Sequence, residues 1–189
     1  MSIKSLPKVS SVSIKRLGQV NWLEIIGLVG FGLFIALIHA HLRFPFRLPG
    51  WRGLIWLTPL VATRLMTSSF GAASITGLSA AGFTFLLGVR NNPFDWFFYL
   101  VVGELLDIAY HYGRRWRQQA WFWAMAAGLA HLTKPLAMIV LSAGGVWESG
   151  SLIFSGSINP LLTHLLFGGL AGLLGSLAVL SIKRMKGLS

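Results

Sequence analysis

The sequence predicts an all-α protein, a polytopic integral membrane protein built as a six-helix bundle, and three observations carry that prediction. Apolar residues fill 54% of the 189 positions and charged residues 11%, with a mean hydropathy of +0.69. A soluble globule of that composition lacks the polar side chains to cover its exterior, whereas a lipid-facing exterior does not need them. Apolar runs of bilayer-spanning length also recur along the whole chain, each parted from the next by a cluster of Pro, Gly, Asn or Arg. Finally, the charges gather in those breaks and in the tails.

Residues 1–20 (MSIKSLPKVSSVSIKRLGQV) are polar and basic with little hydrophobic period, and read as a cytoplasmic basic tail. The remainder, 21–189, reads as a single transmembrane domain. The N-terminus does not read as a signal peptide. Its basic stretch from Lys4 to Arg16 precedes an apolar segment too long for a signal h-region, and no small-residue cleavage site follows.

The first span is expected from Trp22 to Leu42. RFPFRLPGWRG, residues 43–53, holds two prolines and two glycines and cannot continue a helix. A second segment, Leu54 to Met66, is short for a full crossing; a third, Phe70 to Leu87, begins after the polar TSS step. The two are expected to form a tight helical hairpin. VRNNPFD breaks the chain before a fourth segment, Trp96 to Ala109, and YHYGRRWRQQ follows it. The fifth runs from Trp121 to Leu141, and the loop SAGGVWESGSLIFSGS leads to the sixth, Ile158 to Ile182.

Six crossings place both termini and the connections after the second and fourth helices on one side. That side holds Lys4, Lys8, Lys15, Arg16, Arg64, Arg114, Arg115, Arg117, Lys183, Arg184 and Lys186, against Arg43, Arg47, Arg52 and Arg90 on the other. The excess of basic residues marks the first side as cytoplasmic, so the expected location is a prokaryotic cell membrane with both ends inside. Trp22, Trp96, Trp116, Trp121 and Trp123 fall at span ends, where amphipathic rings favour headgroup depth.

The formal net charge of +11 would point to nucleic acid in a soluble protein. Placed in loops and tails, it points instead to orientation and to anionic lipid. With no cysteine in the chain, disulfides, thiolate metal sites and a cysteine nucleophile are excluded. The spans contain no H-E-x-x-H, no G-x-S-x-G and no aspartate pair at catalytic spacing, so no enzyme is expected.

Within the spans, small residues recur at intervals of three or four: Gly27, Gly30, Gly32, Ala36 and Ala40 in the first, Gly168, Gly169, Gly172 and Gly175 in the last. Such stripes let helix backbones approach closely. They serve either internal packing or a docking surface for another subunit, the latter suggested by Gly32, Ala36 and Ala40. Glu104, Asp107 and His111 share a face of the fourth helix. Their alternatives are an ion pair with Arg114 and Arg115, a partner-subunit contact, and a hard-metal or proton site.

His131 and Lys134 sit mid-way along the fifth segment, just before Pro135, which deprives the His131 carbonyl of its intrahelical donor. A lysine there cannot easily snorkel and points to a cavity or a buried partner. Thr163 and His164 lie at comparable depth in the sixth if the helices are antiparallel. A pocket lined by Lys134, His131, His164 and loop tryptophans would suit a small ligand with an anionic or hydrogen-bonding group. The plainer alternative is a lysine bonded to a helix carbonyl beside two packing histidines. His39 and His41, two apart, point to different helix faces.

The third segment FGAASITGLSAAGFTFLLG, the fourth FYLVVGELLDIAYHYGRR and the sixth INPLLTHLLFGGLAGLLGSLAVL resemble stretches of the substrate-binding S components of energy-coupling factor (ECF) transporters. The resemblance implies capture of a micronutrient such as a vitamin from outside, then docking on a membrane coupling subunit with two cytoplasmic ATPases. It assigns docking to an A-x-x-x-A element, here Ala36 to Ala40, with Gly32 and Ala36 as the substitute. It assigns the ligand to Trp51, Asn91, Asn92, Trp96, His131, Lys134, Trp147, Asn159 and His164, with no cofactor. The competing reading is a membrane enzyme or redox subunit binding metal or haem, and a third is a structural subunit of a larger membrane complex.

Overall fold

A computed structural model describes residues 21–42, 48–88, 95–145 and 160–187, and within them the chain forms six α-helices and no strand. These are α1 (Trp22–His41), α2 (Arg52–Met66), α3 (Ala72–Leu86), α4 (Asp95–Tyr112), α5 (Ala120–Ala143) and α6 (Pro160–Met185). Asn91, Asn92, Trp147 and Asn159 of the expected ligand set, and the basic tail, lie outside the described residues. Among the six, α1, α5 and α6 are long and apolar enough to cross a membrane. Helices α2 and α3, at 15 residues each, are shorter, and α4 carries Asp95, Glu104 and Asp107 within its 18.

Local chemistry explains where the helices begin and end. The helix expected from Leu54 starts two residues earlier, because Gly50 (φ 79°) turns the chain and the carbonyls of Gly50 and Trp51 accept the amides of Gly53 and Leu54 at 2.8 and 3.0 Å. Helix α4 continues through YHY to Tyr112 until Gly113, whose added Cβ would lie 2.2 Å from the Phe122 ring. Pro160 opens α6, where its missing amide has no intrahelical acceptor to lose.

Successive helices run in opposite directions. Helix α1 packs on α3, α3 on α4, α4 on α5 and α5 on α6, while α2 closes the ring between α6 and α1 and touches all five others. The shortest stretch of apolar sequence is therefore the hub. Trp56, Leu57, Leu60, Val61 and Leu65 of α2 are buried and pack with Ile35, Ala80, Tyr99, Val102, Leu106, Trp123 and Ala171 from the surrounding helices. Outward-facing side chains are apolar as well: Ile26, Phe34, Phe85, Ile108, Leu129, Val140, Leu166 and Leu174 are all exposed. Exposed apolar faces over a buried apolar core are what a lipid environment permits.

Glycines set the helix spacing. A Cβ at Gly77 would sit 2.3 Å from the Tyr99 carbonyl oxygen, at Gly103 2.5 Å from that of Ala73, and at Gly172 2.1 Å from that of Trp123. The small residues of α1 divide by face. Gly32 and Ala36 are buried, and a Cβ at Gly32 would lie 2.4 Å from the Ser79 hydroxyl of α3, whereas Gly27 and Gly30 have open space around them. Gly32 and Ala36 are thus buried within the bundle, Gly32 against α3, with Ala40 half-buried beyond them.

Candidate functional site

Two polar assemblies stand at opposite ends of the bundle. The first occupies the end where α1 gives way to α2. His131 of α5 and His164 of α6 lie with ring centroids 4.8 Å apart, 2% and 5% exposed. They meet because α5 and α6 pack through Gly128 and Gly168: a Cβ at Gly168 would lie 2.7 Å from that of His131. The turn before α2 then closes over both rings. A Cβ at Gly50 would reach 2.9 Å from the His164 ring, and one at Gly53 2.1 Å from His131 Nε2, so only glycine fits at either place.

The hydrogen bonds fix the tautomers. His131 Nε2 lies 3.2 Å from the Gly50 carbonyl, and His164 Nδ1 lies 2.8 Å from the Pro160 carbonyl one turn earlier in its own helix. A carbonyl can only accept, so these nitrogens carry the protons, and in the neutral rings His131 Nδ1 and His164 Nε2 hold lone pairs. Among the described residues the buried His131 Nδ1 has no hydrogen-bond partner. Lys134, half-buried one turn further along α5, acts electrostatically on both rings.

An unbroken line of rings extends from this pair across the bundle. Trp56 of α2 makes an edge contact with His131 at 5.6 Å and another with Tyr99 of α4 at 4.8 Å, and the Tyr99 hydroxyl bonds His39 Nδ1 of α1. The rings come from five helices. In the sequence Trp56 and Tyr99 look like ordinary members of apolar runs, and His39 is set apart only from His41, by their pointing to different helix faces. The i, i+3 spacing of Gly50 and Gly53 around Trp51 was the available sign that something approaches that turn closely.

Of the expected ligand residues, the structure brings together His131, His164 and Lys134. Trp51, half-buried, is the residue before α2, in the turn between the two glycines that meet the rings, with the Arg52 guanidinium 5.9 Å from its ring centroid. Trp96 is 45% exposed at the start of α4, its ring 6.2 Å from that of Phe97, and no ring contact among the described residues ties it to the histidines.

The second assembly lies at the other end, where α2 leads into α3 and α4 into α5. Arg64, 2% exposed, places Nη1 3.4 Å from Asp107 Oδ1 and donates to the Ser69 carbonyl at 2.7 Å. Its guanidinium stands 3.7 Å from the Tyr110 ring centroid, with Arg117 5.3 Å from the same ring. Asp107 also accepts the amides of Ala73 and Ser74 at 3.2 and 2.8 Å and the Ser74 hydroxyl at 2.7 Å. Those amides open α3, whose own N-cap is Gly71 with no side chain to offer, so Asp107 caps α3 from another helix.

Asp107 therefore pairs with Arg64 and not with Arg114 or Arg115, both of which are exposed. The partner comes from another helix because Asp107 faces inward, while the arginines after Gly113 project from the turn. Glu104 and His111 of the same expected trio are exposed. Among the described residues no group of three His, Asp or Glu side chains is arranged to hold a metal ion.

Comparisons with family models, curated proteins and solved structures give no match to this chain.

Proposed function

We propose that the chain is a multi-pass membrane bundle that acts as the substrate-binding subunit of a micronutrient uptake transporter. The observation that carries this reading is the convergence of His131, His164 and Lys134 at one end of the bundle. The buried His131 Nδ1 keeps a lone pair with no partner among the described residues, which is costly to maintain unless something uses it, and His164 and Lys134 lie beside it. Together they offer two acceptors and one cation, which suits a small molecule bearing both an N–H or O–H donor and an anionic group.

The distribution of charge supports the orientation. Arg114, Arg115, Arg117, Lys183, Arg184 and Lys186 gather at the Arg64 end, which the positive-inside rule makes cytoplasmic. The histidine end then faces outward, where an uptake protein meets its cargo. In this reading the chain binds and does not catalyse. Transport energy comes from a coupling subunit with cytoplasmic ATPases, and anionic lipid surrounds the basic end.

Native mass spectrometry of gently purified chain tests the proposal. The expected result is a stoichiometric organic adduct of small mass, released on unfolding and diminished in His131→Ala. A chain that carries no small molecule even when purified from nutrient-limited cells would overturn it, and a stoichiometric metal or a haem absorbance band would favour the enzyme or redox reading instead.

A further inference from the structure

On the reading of the chain as a membrane bundle, Glu104 is in the wrong place for a protein that acts alone. Helix α4 has 18 residues, and Glu104 is the tenth. At about 1.5 Å per residue it stands roughly 12 to 14 Å from either end of the helix, well inside a hydrocarbon layer about 30 Å thick. Asp107, one turn away, is turned inward and fully engaged with Arg64 and the start of α3. Glu104 is turned outward and exposed, and among the described residues it has no hydrogen bond or ion pair.

Its neighbours on that face are Phe97, Val101 and Ile108, with Phe97 46% and Ile108 52% exposed. His111, two turns on, is the first basic side chain on the same face, about 10 Å along the axis and out of reach. An ionised carboxylate facing lipid at this depth costs about 2.5 to 3.5 kcal/mol on insertion scales. A basic side chain brought to it by another membrane helix would remove that penalty and place a specific contact in an otherwise apolar face.

We propose that the Phe97, Val101, Glu104 and Ile108 face of α4 docks a membrane-spanning helix of a different protein, one that carries a lysine, arginine or histidine in its span to pair with Glu104. A second copy of this chain does not meet the requirement. Its own intramembrane basic residues stand at other depths: Lys134 lies with His39, His131 and His164 toward one end of the bundle and His111 about 10 Å from Glu104 toward the other. A copy inserted in the same orientation keeps each of them at a different depth from Glu104.

The test uses full-length chain in native membranes with a photoreactive residue, p-benzoylphenylalanine, in place of Ile108. Expected on irradiation is an adduct to another membrane protein, mapped to a peptide from an apolar segment that contains Lys, Arg or His. Its yield should fall at least fivefold in Glu104→Leu and in Glu104→Gln and persist in Glu104→Asp, with the melting temperature of each variant unchanged. Adducts to lipid alone, adducts to a second copy, equal yield in all variants, or a melting temperature lowered in Glu104→Gln would each overturn the proposal. Recovery of the chain in the soluble fraction would instead overturn the membrane reading beneath it.

Discussion

Asp107 reaches the first turn of α3 from α4 and accepts the Ser74 amide at 2.8 Å, so one carboxylate both caps a helix it does not belong to and neutralises the buried Arg64. Removing it leaves a guanidinium uncompensated and two helix-opening amides without acceptors. Asp107→Ala should destabilise the bundle by about 3 to 5 kcal/mol, read as thermal unfolding in detergent. The double variant Arg64→Met/Asp107→Ala should lose less than the two single variants combined, because no orphaned charge remains. Additive losses would mean that the pair is not coupled.

Backbone contact at Gly172 sets the α5–α6 distance that brings His131 and His164 together. A Cβ there would lie 2.1 Å from the Trp123 carbonyl, so Gly172→Ala should cost about 1 to 3 kcal/mol. Gly30→Ala, with nothing within 4 Å, should be neutral or stabilise α1 by up to about 1 kcal/mol. Equal melting temperatures for the two variants would show that α5 and α6 can part without consequence.

Lys134 is the cation of the histidine end. On the proposed function, Lys134→Ala should weaken affinity for the small molecule that native mass spectrometry is expected to find at least tenfold, about 1.4 kcal/mol, while far-ultraviolet circular dichroism stays that of the folded bundle. Unchanged affinity in a titration of purified protein would remove Lys134 from the binding site.

Orientation can be read cleanly because the chain has no cysteine. Of two single-cysteine variants, Leu48→Cys should react with a membrane-impermeant maleimide in intact cells, and Arg115→Cys only after the membrane is opened. The reverse pattern would invert the topology and place the histidine end inside the cell.

What the sequence alone determined follows from patterns carried by neighbouring residues. Six helices, close to their observed limits, were legible from apolar runs and from the Pro, Gly and Arg clusters that end them, because helix formation and its interruption are local. The convergence of His131, His164 and Lys134 was legible for the same reason, since two antiparallel helices of known length bring similar depths together. What only the tertiary structure decided is which faces meet. That α2, the least convincing span, is the hub touching every other helix depends on the packing of all five partners around it. That Asp107 turns inward to Arg64, 43 positions earlier, while Glu104 turns outward depends on the rotation of α4 against α3. A periodicity shows that a helix has faces; which one is buried is decided where glycines such as Gly77 and Gly103 let a particular neighbour come close enough to hold it.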